Sequence, residues 1–418
     1  MTEEYTKVIT GGVSHLQEDF DYTMSELTSL CEANNMQVVD SLTQNLDKIV
    51  TATYFGKGKV EELEHLATEN DVKIVVINDE LSPSQIRNLE EKTKLTVIDR
   101  TELILQVFAS RAQSKQAKLQ VEIAQLQYAL PRIHPSGNPL DQQRGGGTTT
   151  RGAGETKLEL DRRVIRNRIT ALKKQLEDVD KNIETQSKKR KTNTLPNVAL
   201  VGYTNAGKST TMNALLEKSV NDNEDSKVFE KDMLFATLDT SVRNVTLSDN
   251  TKFLLSDTVG FVSKLPHNLV DSFKTTLAEA KDADLIIQVV DYSDPNFQKT
   301  IDVTESTLKE VGIVNKPTIL AFNKTDLTAA EYPTIEGNNI YYSALDGQSI
   351  DMLIGLIKEN IYKNFHQETF LIPYNKGDIT SYILDNLEVV SKEYVDEGTK
   401  LELIVNSTEY DKLSDYLI

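Results

Sequence analysis

The stretch Gly202-Tyr203-Thr204-Asn205-Ala206-Gly207-Lys208-Ser209 has the spacing G-x-x-x-x-G-K-[ST], set between an apolar run, Val198 to Val201, and a helical pattern, Thr210 to Leu216. Strand, glycine turn and helix at this spacing demand an α/β sheet with the turn at the strand's carboxyl end. The glycines free backbone N–H groups to wrap a polyphosphate at a helix N-terminus, where Lys208 neutralises the β/γ oxygens and Ser209 ligates Mg²⁺. Gly202 to Thr210 are therefore the candidate phosphate-contacting residues. A glycine turn with a surface lysine is the bland alternative, and the strand–turn–helix context argues against it.

Downstream, Asn323-Lys324-Thr325-Asp326 closes an apolar strand, Thr318 to Phe322. A carboxylate at Asp326 accepts from both N1–H and the 2-amino group of guanine, whereas adenine offers neither donor and leaves a buried charge unpaired. Such a site rejects the wrong base by ~10⁴-fold or more. Lys324 would lay its apolar stem over the base, and Asn323 would tie this loop back to the phosphate loop. Ser343-Ala344-Leu345, after the strand Ile340 to Tyr342, adds the Ala344 N–H for guanine O6.

Between these motifs lies Asp257-Thr258-Val259-Gly260-Phe261, following the strand Phe253 to Leu255. Asp257 is the expected carboxylate behind Mg²⁺, and Gly260 lets its N–H approach a γ-phosphate. Upstream, Phe235-Ala236-Thr237-Leu238-Asp239 is the best candidate for a first switch, with the Thr237 hydroxyl offered to Mg²⁺ and Thr240 as second choice. The metal set is thus Ser209, Thr237 and Asp257. Lys208, Thr237, Gly260 and Asn205 are expected to act on the transferred phosphoryl group. Phe261 stands where many such domains place a water-orienting glutamine, so hydrolysis is expected to be slow alone or to need a partner. Asn205 resembles the asparagine of GTPases that use K⁺ in place of an arginine finger; a structural loop hydrogen bond explains it equally well.

The 418 residues exceed one typical domain, and a single cysteine, Cys31, excludes an intrachain disulfide or a cysteine-built metal site. Residues 1 to 12 lack an apolar signal core, and runs such as Leu285 to Val290 are far below a membrane span. A soluble, cytoplasmic monomer is expected. The net charge of −18 argues against nucleic acid until its distribution is read. Arg111 to Asn193 holds 18 Lys+Arg and 9 Asp+Glu, a local +9 against −27 elsewhere.

The fold class expected is a multidomain α/β protein. Residues 1–109 form an N-terminal parallel α/β domain, with strands at Val38-Val39, Lys48 to Phe55, Lys73 to Ile77 and Leu95 to Ile98, and helices at Val60 to Thr68 and Ser82 to Lys92. Gly56-Lys57-Gly58-Lys59 either contacts a nucleotide or RNA or is a tight strand-to-helix turn, and Asn78-Asp79 leaves the same choice open. Residues 110–193 form a long antiparallel two-helix arm. Helical period runs from Arg100 to Leu130, and from about Glu155 to Lys191 Ile165, Ile169, Leu172, Leu176, Val179 and Ile183 repeat in steps of four and three. The loop between, Pro131 to Gly154, carries six glycines in the eighteen residues from Gly137 to Gly154, and arginines at Arg132, Arg144, Arg151, Arg162 and Arg163 in it or on its flanks. Those arginines, with Gly145, Gly146, Gly147 and Gly152, suit close contact with an RNA backbone, a solvated basic linker being the alternative. Residues 194–365 form a central Ras-like P-loop G domain, and residues 366–418 a small α+β domain.

The phosphate loop, Asp257 to Phe261, Asn323 to Asp326, the coiled hairpin and Arg151-Gly152-Ala153-Gly154-Glu155-Thr156 together resemble the HflX family of ribosome-associated translational GTPases. The likeness extends over Tyr54 to Leu63, Asn78 to Leu89 and Ile98 to Leu130. It implies that the glycine-rich loop enters the peptidyl transferase centre of the large ribosomal subunit and contacts its RNA. It further implies that the GTP-bound protein separates stalled ribosomes into subunits and that the ribosome stimulates hydrolysis. In some members the N-terminal region is described as an ATPase, which would give Gly56 to Lys59 and Asn78-Asp79 an ATP-binding role. Two rival readings are a large-subunit assembly factor and a regulatory switch with a protein effector.

Overall fold

The structure, a computed structural model, describes residues 5–15, 19–133, 151–191, 195–220, 241–249, 251–264, 278–361, 366–405 and 407–418; side chains of the long helix 151–191 are described over 159–181. Phe235, Thr237, Thr240, Arg144, Gly145, Gly146 and Gly147 lie outside these residues. The chain divides into two compact units: one holds Met1–Thr185, Met233–Asp239 and Ser263–Lys274, the other Gln186–Asp232, Thr240–Val262 and Thr275–Ile418.

The first unit is built on β1 (Thr6–Ser14), α1 (Phe20–Ala33), β2 (Met36–Asn45), α2 (Lys57–Glu69), β3 (Ile74–Ile77), α3 (Pro83–Thr93), β4 (Thr96–Asp99), α4 (Arg100–Arg111), α5 (Lys115–Ala129) and α6 (Arg151–Lys191). Its sheet has the order β2-β1-β3-β4 and is parallel throughout. A parallel sheet is covered on both faces, and the interior strands are accordingly buried, β3 with four apolar residues and β1 from Val8 to Val13. β1 and α1 carry no period-2 or turn signal strong enough to announce them.

Three expectations for this unit are corrected. Lys48 to Phe55 is a turn with one isolated bridge, Val50 to Tyr54, because Tyr54 and Phe55 insert into the core at 1% and 0% exposure rather than extending the sheet. The helical period from Arg100 to Leu130 is broken at Ala112–Ser114, where the Ser114 hydroxyl caps α5 by accepting from Ala117 N at 3.0 Å. The glycine-rich segment ends earlier than expected, since α6 begins at Arg151 and takes Gly152 and Gly154 into its first turn. Each glycine costs a helix about 1 kcal/mol, which the propagation of a long helix offsets.

The arm pairs as its apolar stripes require. Leu119 and Ile123 of α5 pack on Ile169 and Leu172 of α6, flanked by Leu126, Ile165, Leu176 and Val179. Gln116 to Asp180 and Arg168 to Glu122 fasten its edges in antiparallel order. Arg132 is not available to an external phosphate. Its guanidinium lies 3.4 Å over the Tyr128 ring and donates to Leu81 O and Asp99, locking the end of α5 to the sheet.

The second unit contains β5 (Asn197–Gly202), α7 (Lys208–Glu217), β6 (Ser241–Thr246), β7 (Lys252–Asp257), α8 (Ala278–Asp282), β8 (Leu285–Asp291), α9 (Phe297–Glu310), β9 (Thr318–Asn323), β10 (Thr334–Glu336), β11 (Asn339–Tyr341) and α10 (Gly347–Ile361). The sheet order is β10-β11-β9-β8-β5-β7-β6, with β6 and β10 antiparallel to their neighbours and the rest parallel. After β5 the chain builds one side of the sheet with β6 and β7, then crosses to the other with β8. That reversal places the ligand crevice at the carboxyl end of β5. The remaining elements, β12 (His366–Ile372), α11 (Gly377–Asn386), β13 (Glu388–Val395), β14 (Gly398–Val405) and α12 (Ser407–Leu413), form an antiparallel sheet of order β12-β14-β13 with its own core at Phe370, Ile383, Leu401 and Leu403.

Candidate nucleotide site

The phosphate loop leaves β5 at Gly202 and enters α7 through Gly207, whose φ of 91° only glycine adopts without strain. A side chain at Gly207 would also stand 2.2 Å from Asn323 Nδ2. That closeness has a use. Asn323 donates to Ala206 O at 2.9 Å and accepts from Ala344 N at 2.9 Å, so one buried side chain stitches the phosphate loop, the end of β9 and the loop after β11 together. Ala344 N–H, expected to meet guanine O6, is thus spent on Asn323; a bound base would have to share it.

Lys324 takes a left-handed φ of 62°, and its ammonium pairs with Asp291 at 2.8 Å, leaving the stem as a platform. Asp291 closes β8 and had no motif to announce it. Asp326 is exposed, so the cost of an unpaired carboxylate arises only once a base covers it. Leu345 is 83% exposed beside the same crevice. Ser343 accepts from Leu345 N and shapes this turn.

At the phosphate end, Lys208 is buried and donates to Gly202 O at 3.1 Å and Tyr203 O at 2.8 Å. Burial holds its pKa down at about 8, with Asp257 opposing the fall. Ser209 Oγ donates to Asp257 Oδ2 at 2.8 Å, which brings the two residues expected at Mg²⁺ into contact. A hydroxyl beside a buried carboxylate, next to where phosphate oxygens and waters would complete an octahedron, is a donor set that fits Mg²⁺. Among the described residues no cluster of three His, Cys, Asp or Glu side chains forms an all-protein metal cage. Asn205 is exposed at φ 60°, and Thr210 sits half-buried in the first turn of α7.

Gly260 lies against the phosphate loop: a Cβ there would be 2.8 Å from Thr204 Cα and 3.0 Å from Lys208 Nζ. Phe261 is buried and pairs by backbone, accepting from Thr204 N at 2.8 Å and donating to Gly202 O at 3.2 Å. Its ring can orient no water. Of the ribosome-directed residues, Arg151 and Gly152 lie in the first turn of α6, Arg162 is half-buried and Arg163 exposed. The N-terminal alternatives are committed to protein. Gly56 N donates to Gln44, Asn78 is buried between Thr23 and Arg100, and Asp79 binds Tyr54 and Lys264.

A phosphate loop, a D-x-x-G segment and an N-K-x-D loop gathered at one sheet edge define a GTP-binding P-loop GTPase domain. Residues 197–324 match the family model described as 50S ribosome-binding GTPase, while 21–109 and 111–190 match the GTP-binding GTPase N-terminal and Middle Region models. The chain is 41% identical to the GTPase HflX of Caldanaerobacter subterraneus over 95% of this chain and 90% of that one. It is 35% identical to the GTPase HflX of Escherichia coli over 94% of each. A solved GTP-binding protein of Sulfolobus solfataricus in complex with GDP aligns at 24% identity and a TM-score of 0.45, covering 86% of this chain and 99% of that one. The chain belongs to the HflX family of GTPases. Among the described residues no helix is long and apolar enough to cross a membrane.

Proposed function

We propose that this chain is a Mg²⁺-dependent GTPase of the cytoplasm that binds the large ribosomal subunit and, with GTP bound, separates stalled or idle ribosomes into subunits. The observation that carries the guanine reading is the Asn323 stitch, because it fixes Asp326 and Lys324 at a set distance from the loop that would hold the phosphates. Asp326 would pair with the guanine edge, Lys324 would cover its face, and the Gly202–Thr210 loop with Lys208 would take the phosphates. Ser209 and Asp257, with Thr237, would hold Mg²⁺, whose charge would offset that of the β and γ oxygens. Gly260 N–H would donate to the γ-phosphate. With Phe261 buried and unable to place water, turnover alone is slow and the ribosome supplies the stimulation. The exposed Asn205 would hold K⁺ beside the phosphates.

The ribosome reading rests on family membership and on charge: the basic arm directs an otherwise acidic chain toward RNA phosphates. Residues 1–109 would then serve as scaffold, 110–193 as the arm carrying Arg151, Arg162 and Arg163 toward RNA, 194–365 as the nucleotide switch and 366–418 as an accessory domain. Their internal contacts give Gly56, Asn78 and Asp79 a structural role in place of an ATP site. Sedimentation of mature ribosomes with the protein and a non-hydrolysable GTP analogue tests the proposal. Free subunits are expected with the analogue and intact ribosomes with GDP. Binding confined to immature large subunits would replace splitting with an assembly role.

A further inference from the structure

Asp291 belongs to none of the nucleotide motifs, yet both of its carboxylate oxygens are engaged at their edge. The register of β8 on β9 sets Asp291 against Asn323, so the next residue in the chain, Lys324, starts within reach of the carboxylate. Lys324 turns there in its left-handed conformation, and its ammonium donates to Asp291 Oδ2 at 2.8 Å. Asp291 Oδ1 accepts from Ser293 N at 3.0 Å and from Ser293 Oγ at 2.6 Å. With one oxygen held by two donors, the other is aimed at Lys324.

The segment carrying Asp291 is itself fixed by protein groups. Tyr292 N donates to Asn323 O at 2.8 Å, which carries the bonding between β8 and β9 one residue further. The Tyr292 ring then packs against Phe297, Phe322 and Tyr341 with centroids 5.2, 5.5 and 5.2 Å away, within the range of favourable aromatic pairs. The side chains of Lys324 and Asp291 are 26% and 24% exposed, so solvent weakens their attraction and the pair adds little to stability. Its effect on ordering is larger. A lysine stem has many rotamers, and fixing one of them at the moment a ligand binds opposes affinity.

We propose that Asp291 is a positioning residue for the nucleotide base: braced by Ser293, it holds the Lys324 stem in place as a preformed platform for the face of the ring. The stem covers any flat purine alike, so Asp291 raises affinity without choosing among bases, and the choice falls to Asp326. The inference deepens the guanine-nucleotide reading above and rests on it.

Asp291→Asn tests it with little change of shape. Because Ser293 supplies two donors to one side, the new amide turns its oxygen toward Ser293 and its NH₂ toward the Lys324 ammonium, donor against donor. GDP and inosine diphosphate, whose base lacks the 2-amino group, are titrated by calorimetry into the full chain, Asp291→Asn, Lys324→Met and the double variant. Asp291→Asn is expected to weaken both nucleotides about three- to tenfold, the range set by immobilising one long side chain. The ratio of the two affinities should stay within about twofold, and adding Asp291→Asn to Lys324→Met should change nothing beyond the same margin. A merely structural role at the end of β8 would give the same loss in both backgrounds. Ser293→Ala keeps the charge and removes one brace; it should show a smaller loss that also disappears in Lys324→Met, and it answers the question where Asp291→Asn does not fold. Undiminished affinity in the folded variants, an equal loss in the Lys324→Met background, or an altered ratio overturns the role given to Asp291 and leaves the nucleotide reading standing. Failure of the unmodified chain to bind GDP overturns that reading, and the positioning role with it.

Discussion

Asn323 and Lys208 each carry a prediction about the proposed nucleotide site, for different reasons. Removing the Asn323 amide takes from Ala206 O and Ala344 N the side chain that joins them and uncouples base reading from phosphate binding. Two net hydrogen bonds are worth about 1–3 kcal/mol, so Asn323→Ala should weaken GDP binding by roughly 5- to 150-fold in calorimetry. Undiminished affinity would show that the stitch does not organise the site. Lys208 makes a pH prediction. Its pKa is lowered by burial to about 8, so the folded chain carries a penalty at neutral pH that fades as the pH rises past that value toward the ordinary lysine range. Bound phosphates favour the charged ammonium. GDP affinity should therefore fall as pH rises above about 8, by up to about tenfold per unit. Titrations from about pH 7 to 9 should show this decline in the native chain and none in Lys208→Met, which should bind weakly throughout.

At the scale of elements, the arm has an apolar core of its own. Leu172 is 1% exposed at the centre of the α5–α6 seam, and Leu172→Ala should cost about 2–5 kcal/mol locally. Faster amide exchange in α5 and α6 with unchanged GDP affinity is the expected pair of results. Loss of nucleotide binding in that variant would tie the arm to the site. Shortening residues 145–150, just ahead of α6, should leave GTP affinity intact and abolish subunit separation. A shortened chain that still splits ribosomes at the native rate would refute the role given to the loop. Arg162→Glu with Arg163→Glu should reduce the salt dependence of ribosome binding by up to about two, each lost phosphate contact removing ~0.7 to 0.9.

For the whole molecule, charge and catalysis point to the same dependence on a large partner. The local +9 of residues 111–193 within a chain of net −18 concentrates positive charge in one segment, as the proposed RNA contact requires. Phe261, buried and bonded through its backbone, itself brings no side-chain amide to orient water. Steady-state turnover alone should be slow and should rise by ~10³ to 10⁵ when large subunits are added, the range that activators supply elsewhere. Rapid hydrolysis by the isolated chain would remove the need for that partner.

The sequence by itself determined the strand–turn–helix of the phosphate loop, the strand that Asn323 to Asp326 closes, and the pairing of α5 with α6. All of these come from local spacing: a glycine turn must join the strand and helix beside it, and a stripe at steps of three and four must find another stripe. It also marked Phe261 as a departure, because a missing side-chain amide can be read from one position. Tertiary structure decided the rest. β1 and α1 became legible only when the sheet closed around them, and Lys48 to Phe55, apolar enough for a strand, was taken by the core instead. The partners of Lys324, Arg132 and Arg100 lie 33, 33 and 163 residues away at Asp291, Asp99 and Ser263. A charge in a sequence says only that a partner is needed; which group supplies it is settled by the fold, because burial makes an unpaired charge too costly to keep.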